Sequence, residues 1–248
     1  MFKIIQAENL KYKRTFLRKI VIIIPLLIAI YASITLIDFN NDYNYFPQNS
    51  INWWTLIFMP VSIALLTVLS SSIEKKSGNY RALKSKNISK LKMWISKNIV
   101  IGFYTLIMTI IAIFISIILY YIKKELIGNL FDIIIAYFTV WLTTLAIIPI
   151  SLFLSELFGT FITILSSFIG ILGTMFLSTE SSWILWPWSW SIRLMCPIMK
   201  TNPNGTLLEI GDPLLDSSVI GVGILTSIII CVGLIFLTGI WFSRRETV

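Results

Sequence analysis

The sequence has 248 residues, 56% hydrophobic and 13% charged, with a net charge of +8 and a mean hydropathy of +0.85. Soluble domains carry about 25% charged residues, so a soluble globular fold is excluded. Histidine is absent, which removes His-based metal sites, His general bases and Ser-His-Asp triads.

About 20 apolar residues span the roughly 30 Å hydrocarbon core of a bilayer. Six windows of this kind are expected: 20–37, 53–73, 99–122, 133–155, 158–177 and 218–242. They leave no room for a separate soluble domain, so residues 1–248 read as a single all-α transmembrane domain. The first window holds Pro25 and has no small-residue cleavage site before Asp38, so it is expected to remain as a span.

Residues 1–19 carry six basic residues against Glu8. Lys11, Arg14 and Arg18 would form a basic stripe beside Phe and Leu, which suits a helix lying against anionic lipid. A solvated flank that merely sets topology is the alternative.

Residues 74–97 carry eight basic residues against Glu74 and keep Tyr80, Leu83, Ile88, Leu91 and Trp94 among them. Leu91 and Trp94 would share a helix face, and Gly78 permits a turn before a short helix. Topology accounts for the charge, but a partner protein would also use the aromatic residues as anchors. The tail adds Arg244 and Arg245, so sixteen of the twenty basic residues fall on one side. Basic loops stay in the cytoplasm, so both termini are expected there. Abundant Ile, Asn and Lys suit an AT-rich bacterial genome.

No window has an ionisable residue near its centre, which disfavours proton- or ion-driven transport. Glu156, in the short turn between the fourth and fifth windows, reads either as a solvated carboxylate or as a partner of the basic 74–97 stretch. Ser166, Gly170 and Thr174 recur every four residues and permit close helix packing, within the chain or against a second membrane chain. Pro25, Pro60 and Pro149 predict bent spans.

The 178–217 stretch holds Trp183, Trp186, Pro187, Trp188 and Trp190. Trp favours the membrane interface, so this stretch is expected to re-enter or lie along the outer leaflet. It reads as an aromatic anchor, or as an outer gate that contacts an amphipathic substrate. Cys196 and Cys231 read as unpaired thiols. No GxxxxGK[ST] sequence is present, so the chain has no P-loop.

The basic ENLKYKRT entry, the six windows, the basic loop EKKSGNYRALKSKNISKLKMWISK and the Trp-rich final loop resemble permeases of ABC-2 exporters. More narrowly, they resemble lantibiotic-immunity permeases of the MutE/EpiE type. The resemblance implies two copies of a cytoplasmic ABC ATPase, which would bind the ATP and Mg, with no cofactor on this chain. It also implies a second permease chain, membrane lipid as surroundings, a lantibiotic or other amphipathic peptide as substrate, and no nucleic acid. Residues 2–17 would be the interfacial helix, and Glu74, Gly78, Tyr80 and Arg81 would match the ATPase-coupling loop. Leu91 and Trp94 would lie with them, the turn at Glu156 would add a second cytoplasmic contact, and the fifth span would form part of the permease–permease face.

Overall fold

The structure is a computed structural model and describes residues 1–35, 46–76, 89–122 and 129–244. The described residues are helical, apart from connecting turns and an isolated bridge between Thr201 and Leu207. Helix α1 (Phe2–Lys11) ends in a turn where Arg14 takes a φ of 66°. Helix α2 (Phe16–Thr35) starts directly after it, so residues 1–19 form a helix, a sharp turn and a second helix. Helix α1 shows Phe2 and Leu10 to the outside, while Glu8 faces inward.

Helix α3 (Phe46–Trp53) runs without a break into α4 (Met59–Lys76) through a wide π-helical turn at Trp54–Phe58. The wide turn lies just ahead of Pro60, which cannot donate to the Leu56 carbonyl and crowds it. Helix α5 (Lys90–Ile122) has 33 residues, roughly 50 Å at 1.5 Å per residue, and so is longer than the hydrocarbon core. Helices α6 (Leu130–Thr144) and α7 (Ile147–Leu157) are one apolar segment bent by 40°. Pro149 explains the bend, because it leaves the Leu145 carbonyl without its usual helical donor.

Gly159, at a φ of 82°, turns the chain into α8 (Thr160–Leu177). A short 3₁₀ turn at Ser181–Leu185 leads to α9 (Ser189–Met199), and α10 (Ser218–Arg244) closes the chain. Helix α9 has only 11 residues, too few to span, and is buried from Ser189 to Cys196 against α6.

Among the described residues, four helices are long and apolar enough to cross a membrane: 47–76, 90–121, 160–177 and 218–244. The bent α6–α7 pair makes a fifth. Helix α2 is not among them.

Lipid supplies no hydrophobic drive between helices, so close approach and hydrogen bonding must hold them. Hydroxyls of Thr105, Thr109, Thr143 and Thr144 bond to carbonyls of their own helices, and Ser116 meets the Tyr137 hydroxyl across α5 and α6 at 2.8 Å. Glycines allow the closest approaches. A Cβ on Gly170 would lie 2.5 Å from the Trp188 ring, and one on Gly173 would lie 2.8 Å from Trp186.

An exposed helical Gly→Ala change gains about 0.5–1 kcal/mol, so Gly233→Ala, with nothing within 4 Å, should be neutral or stabilising. Gly170→Ala should instead cost about 1–3 kcal/mol through overpacking against a rigid indole. Thermal unfolding of both variants in the same detergent checks the opposite signs.

Candidate functional site

One end of the bundle gathers the basic residues. Lys11 Nζ donates to Glu8 at 2.7 Å and also to Glu74 at the end of α4. Tyr12 donates its hydroxyl proton to Glu8 at 2.7 Å. With that proton committed, Ser70 must be the donor in its 2.7 Å contact with the same oxygen. Arg18 donates to the Tyr104 hydroxyl at 3.0 Å, and that hydroxyl donates to Asn9 Oδ1 at 2.6 Å. Helix α1 is thereby fixed to both α4 and α5.

The cluster is charge-balanced. Glu8 is 3% exposed and Glu74 is 5% exposed, while Lys97 is buried nearby and adds a second cation. Burial alone would raise the Glu8 carboxyl, but Lys97 and Lys11 outweigh it and hold its pKa below the ordinary 4.5. Burial likewise pulls Lys11 down, yet Glu8 and Glu74 prevail and raise it above 10.5. Burial, with the Glu8 charge, pushes Tyr12 well above its ordinary value, so it stays a neutral donor.

Two more lysines close helix ends. Lys75 donates to the Ser155 carbonyl at 2.9 Å and Lys90 to the Ser243 carbonyl at 3.1 Å, near the C-termini of α7 and α10. Cations there satisfy free carbonyls and complement the helix dipole. Glu156 is 2% exposed on α7, so it is not a solvated turn carboxylate.

Trp94 is 1% exposed, stacks on Phe242 and donates its indole N–H to Thr238 at 2.9 Å. With Leu91 it covers Gly239 of α10. It therefore anchors α5 to α10 inside the chain and has no surface left for a second protein, which corrects its placement as a partner contact. Leu91 also faces α10, though it is only partly buried. Gly78, Tyr80 and Arg81 lie outside the described residues.

Of the basic stripe in residues 1–19, Lys11 and Arg18 are engaged within the protein. The signal available in the sequence was Glu8, the lone acid in that basic segment.

The opposite end is Trp-rich. Trp183 and Trp190 are buried, and Trp190 donates to the Ile184 carbonyl at 2.8 Å. Trp186 donates to the Gly170 carbonyl at 3.0 Å, and Trp186, Pro187 and Trp188 are half-buried. Gly170 and Thr174 are buried and Ser166 is half-buried. The close approach at Gly170 is made by Trp188 of the same chain.

Beside these residues lies a cleft of about 350 Å³, lined by Asn52, Trp53 and Leu56 on one wall and Thr174, Met175, Pro203 and Asn204 on the other. Asn52 is 5% exposed and donates to the Pro203 carbonyl at 3.2 Å, while its Oδ1 has no hydrogen-bond partner. The candidate cytoplasmic contacts and the candidate substrate contacts thus sit at opposite ends of one helical bundle.

Apolar helices of this length, a buried short helix and a basic end define a multi-pass helical membrane protein. The profile of the family described as "ABC-2 family transporter protein" matches residues 4–182. The chain belongs to that family, whose members are membrane transport subunits that work with an ABC ATPase. The match runs from α1 to the turn after α8 and stops short of the Trp183–Trp190 cluster. No curated protein and no solved structure matches the chain.

Removing one partner of a buried charge cluster costs about 3–5 kcal/mol, because the remaining charges stay buried. Lys11→Met should approach the lower figure, with partial recovery when Glu8→Gln is added; thermal unfolding of the single and double variants reads the difference. The pH dependence follows from the signs. The Glu8 contribution is present above its unfolded value and lost as pH falls through its depressed folded pKa. The Lys11 contribution is present below its unfolded value and lost as pH rises through its elevated one. Wild type should therefore show a plateau between about pH 5 and 10, and Lys11→Met, which removes one of the cations that depress Glu8, should move its acid edge upward, as a melting series across pH would show.

Proposed function

We propose that the chain is the permease subunit of an exporter that removes a lantibiotic or similar antimicrobial peptide from the membrane of the producing cell. The observation that carries this reading is the cleft beside the Trp-rich end. Its largely apolar walls, with the exposed amide Asn204 at the edge, suit a ligand that combines apolar side chains with polar backbone groups. Trp186, Pro187 and Trp188, half-buried next to it in the segment that packs against α8, suit an outer gate.

In this reading α2 is the sixth span, and both termini lie in the cytoplasm with the basic end. Two copies of a cytoplasmic ABC ATPase, carrying ATP and Mg, meet the protein through residues 77–88, with Gly78, Tyr80 and Arg81 as contacts. Glu74, paired with Lys11, holds α1 against the end of α4, and Glu156 lies at the neighbouring end of α7. A second permease chain packs on the outward face of α8, where Phe161, Leu165, Phe168, Leu172 and Phe176 are exposed. That face is favoured because Gly170 is already covered from within.

Loss of the gene should sensitise the producer to its own lantibiotic, measured as a fall in the minimal inhibitory concentration. Unchanged sensitivity would remove the peptide assignment and leave the permease class intact. Tyr80→Ala with Arg81→Ala should cut ATPase co-purification about tenfold or more, the scale of losing interface anchors. Membrane insertion should be unchanged, and undiminished co-purification would refute the placement.

A further inference from the structure

Residues 1–19 carry six basic residues, and the fold divides them. Lys11 and Arg18 turn inward, to Glu8, Glu74 and Tyr104. Lys3, Lys13, Arg14 and Lys19 are exposed, and their side chains make no hydrogen bond or ion pair among the described residues. Glu8, the lone acid of the segment, is buried and already engaged by Lys11 and Tyr12. Nothing on the outward side of 1–19 therefore answers the four cations.

The polarity of α1 is the reverse of that of a helix on a soluble protein, whose apolar face turns inward. Its inner side holds Glu8 and Lys11, while its outer side shows Phe2 at 71% and Leu10 at 64% exposure. Helix α2 carries the pattern on. Phe16, Lys19, Ile22, Ile23, Leu26 and Ile30 share one helical face and are exposed, because the other face packs on α4 and α5. From Phe16 to Ile30 this face runs for roughly 20 Å at 1.5 Å per residue. Its charge, Lys19, stands at the end nearest the corner at Arg14. Cations thus head an apolar length, as phosphates head acyl chains.

We infer that the outward side of α1, the corner at Arg14 and the first turn of α2 form a docking surface for anionic phospholipid. The phosphates lie on Lys3, Lys13, Arg14 and Lys19, and the acyl chains run along the exposed face of α2. An acidic protein surface would match the cations but not the apolar length beside them. Because Lys11 and Arg18 fix the inner side of α1 to α4 and α5, lipid held on the outer side also holds the basic end in place. The inference rests on the reading of α2 as the sixth span and is independent of peptide export.

The test uses the purified full chain in nanodiscs of mixed phosphatidylglycerol and phosphatidylcholine, one of which carries a diazirine in its acyl chain. Each cation near an anionic surface is worth about a fivefold preference, so the glycerol tracer should exceed the choline tracer by about tenfold or more within residues 2–30. The two should label the exposed Phe168 region of α8 equally. Replacing Lys3, Lys13, Arg14 and Lys19 together by Gln should bring the ratio to about one, as should about 1 M salt, where the screening length is about 3 Å. Arg14→Gly keeps the test sound if the fourfold variant fails to fold. Glycine suits the φ of 66° there, so stability should hold or rise while the ratio falls about fivefold. A wild-type ratio near one, or a ratio unmoved by Arg14→Gly and by salt, would overturn the proposal. Loss of ATPase co-purification in the fourfold variant with the lipid ratio intact would also overturn it, and would assign the face to a protein. Absence of either label from residues 22–30 would remove the span on which it rests, a failure read separately from the ratio.

Discussion

Lys11, held between Glu8 and Glu74, is the interaction on which the arrangement of the basic end depends. Moving an isolated charge out of water is prohibitive, and a buried pair is retained only when each charge is answered. Here two carboxylates are set against Lys11 and Lys97, and Tyr12 and Ser70 complete the hydrogen bonds. Because Lys11 ends α1 and Glu74 lies near the end of α4, the pairing fixes where the chain enters the bundle and where it leaves toward residues 77–88. The same geometry turns Phe2 and Leu10 outward.

The Trp-rich end is held by a different means. No ion pair is found there among the described residues, and the order comes from indoles seated on glycines. Trp188 over Gly170 and Trp186 over Gly173 bring the segment before α9 against α8 at distances that a Cβ would forbid. The Trp186 N–H on the Gly170 carbonyl adds direction to this contact. Arg193 reaches the Leu214 carbonyl at 3.1 Å and fastens the far side of α9 to the returning loop. A rigid aromatic seat suits a short helix that cannot satisfy itself as a span.

The apolar helices were legible because lipid demands continuous apolar length whichever face is buried. Pro149 marked the bend for the same reason, since a missing N–H acts wherever the helix lies. The start of α5 at Lys90 was hidden, because its first turns are polar and rest on α10 instead of lipid. Partner choice was also hidden. In a membrane protein inward and outward faces are both apolar, so the sequence does not distinguish a Trp94 that binds another chain from one that binds α10. The stripe at Ser166, Gly170 and Thr174 showed that something approaches closely, without showing that Trp188 fills the space at Gly170. Charge counting indicated a side of the membrane, but it hid the pairing of Lys11 with acids in two different helices.

Helix α10 connects these two modes of packing. Only 11% of its apolar window is buried, against 56% for the 47–76 helix, so its position rests on few contacts. Near its start, Gly223 receives Leu194 of α9; near its finish, Gly239 receives Leu91 and Trp94 of α5, and Thr238 accepts the Trp94 N–H. Between them, Cys231 and Ile235 line a hollow of the bundle's flank together with Ile99 and Phe103 of α5. A displacement of the Lys90–Trp94 end must therefore carry α10 with it or break the Thr238 bond and the Gly239 crossing. If α10 moves as a rigid rod, the displacement reaches Leu194 and the Trp-seated helix α9. The contacts that define the fold thus also form a physical path between the basic end and the Trp-rich end.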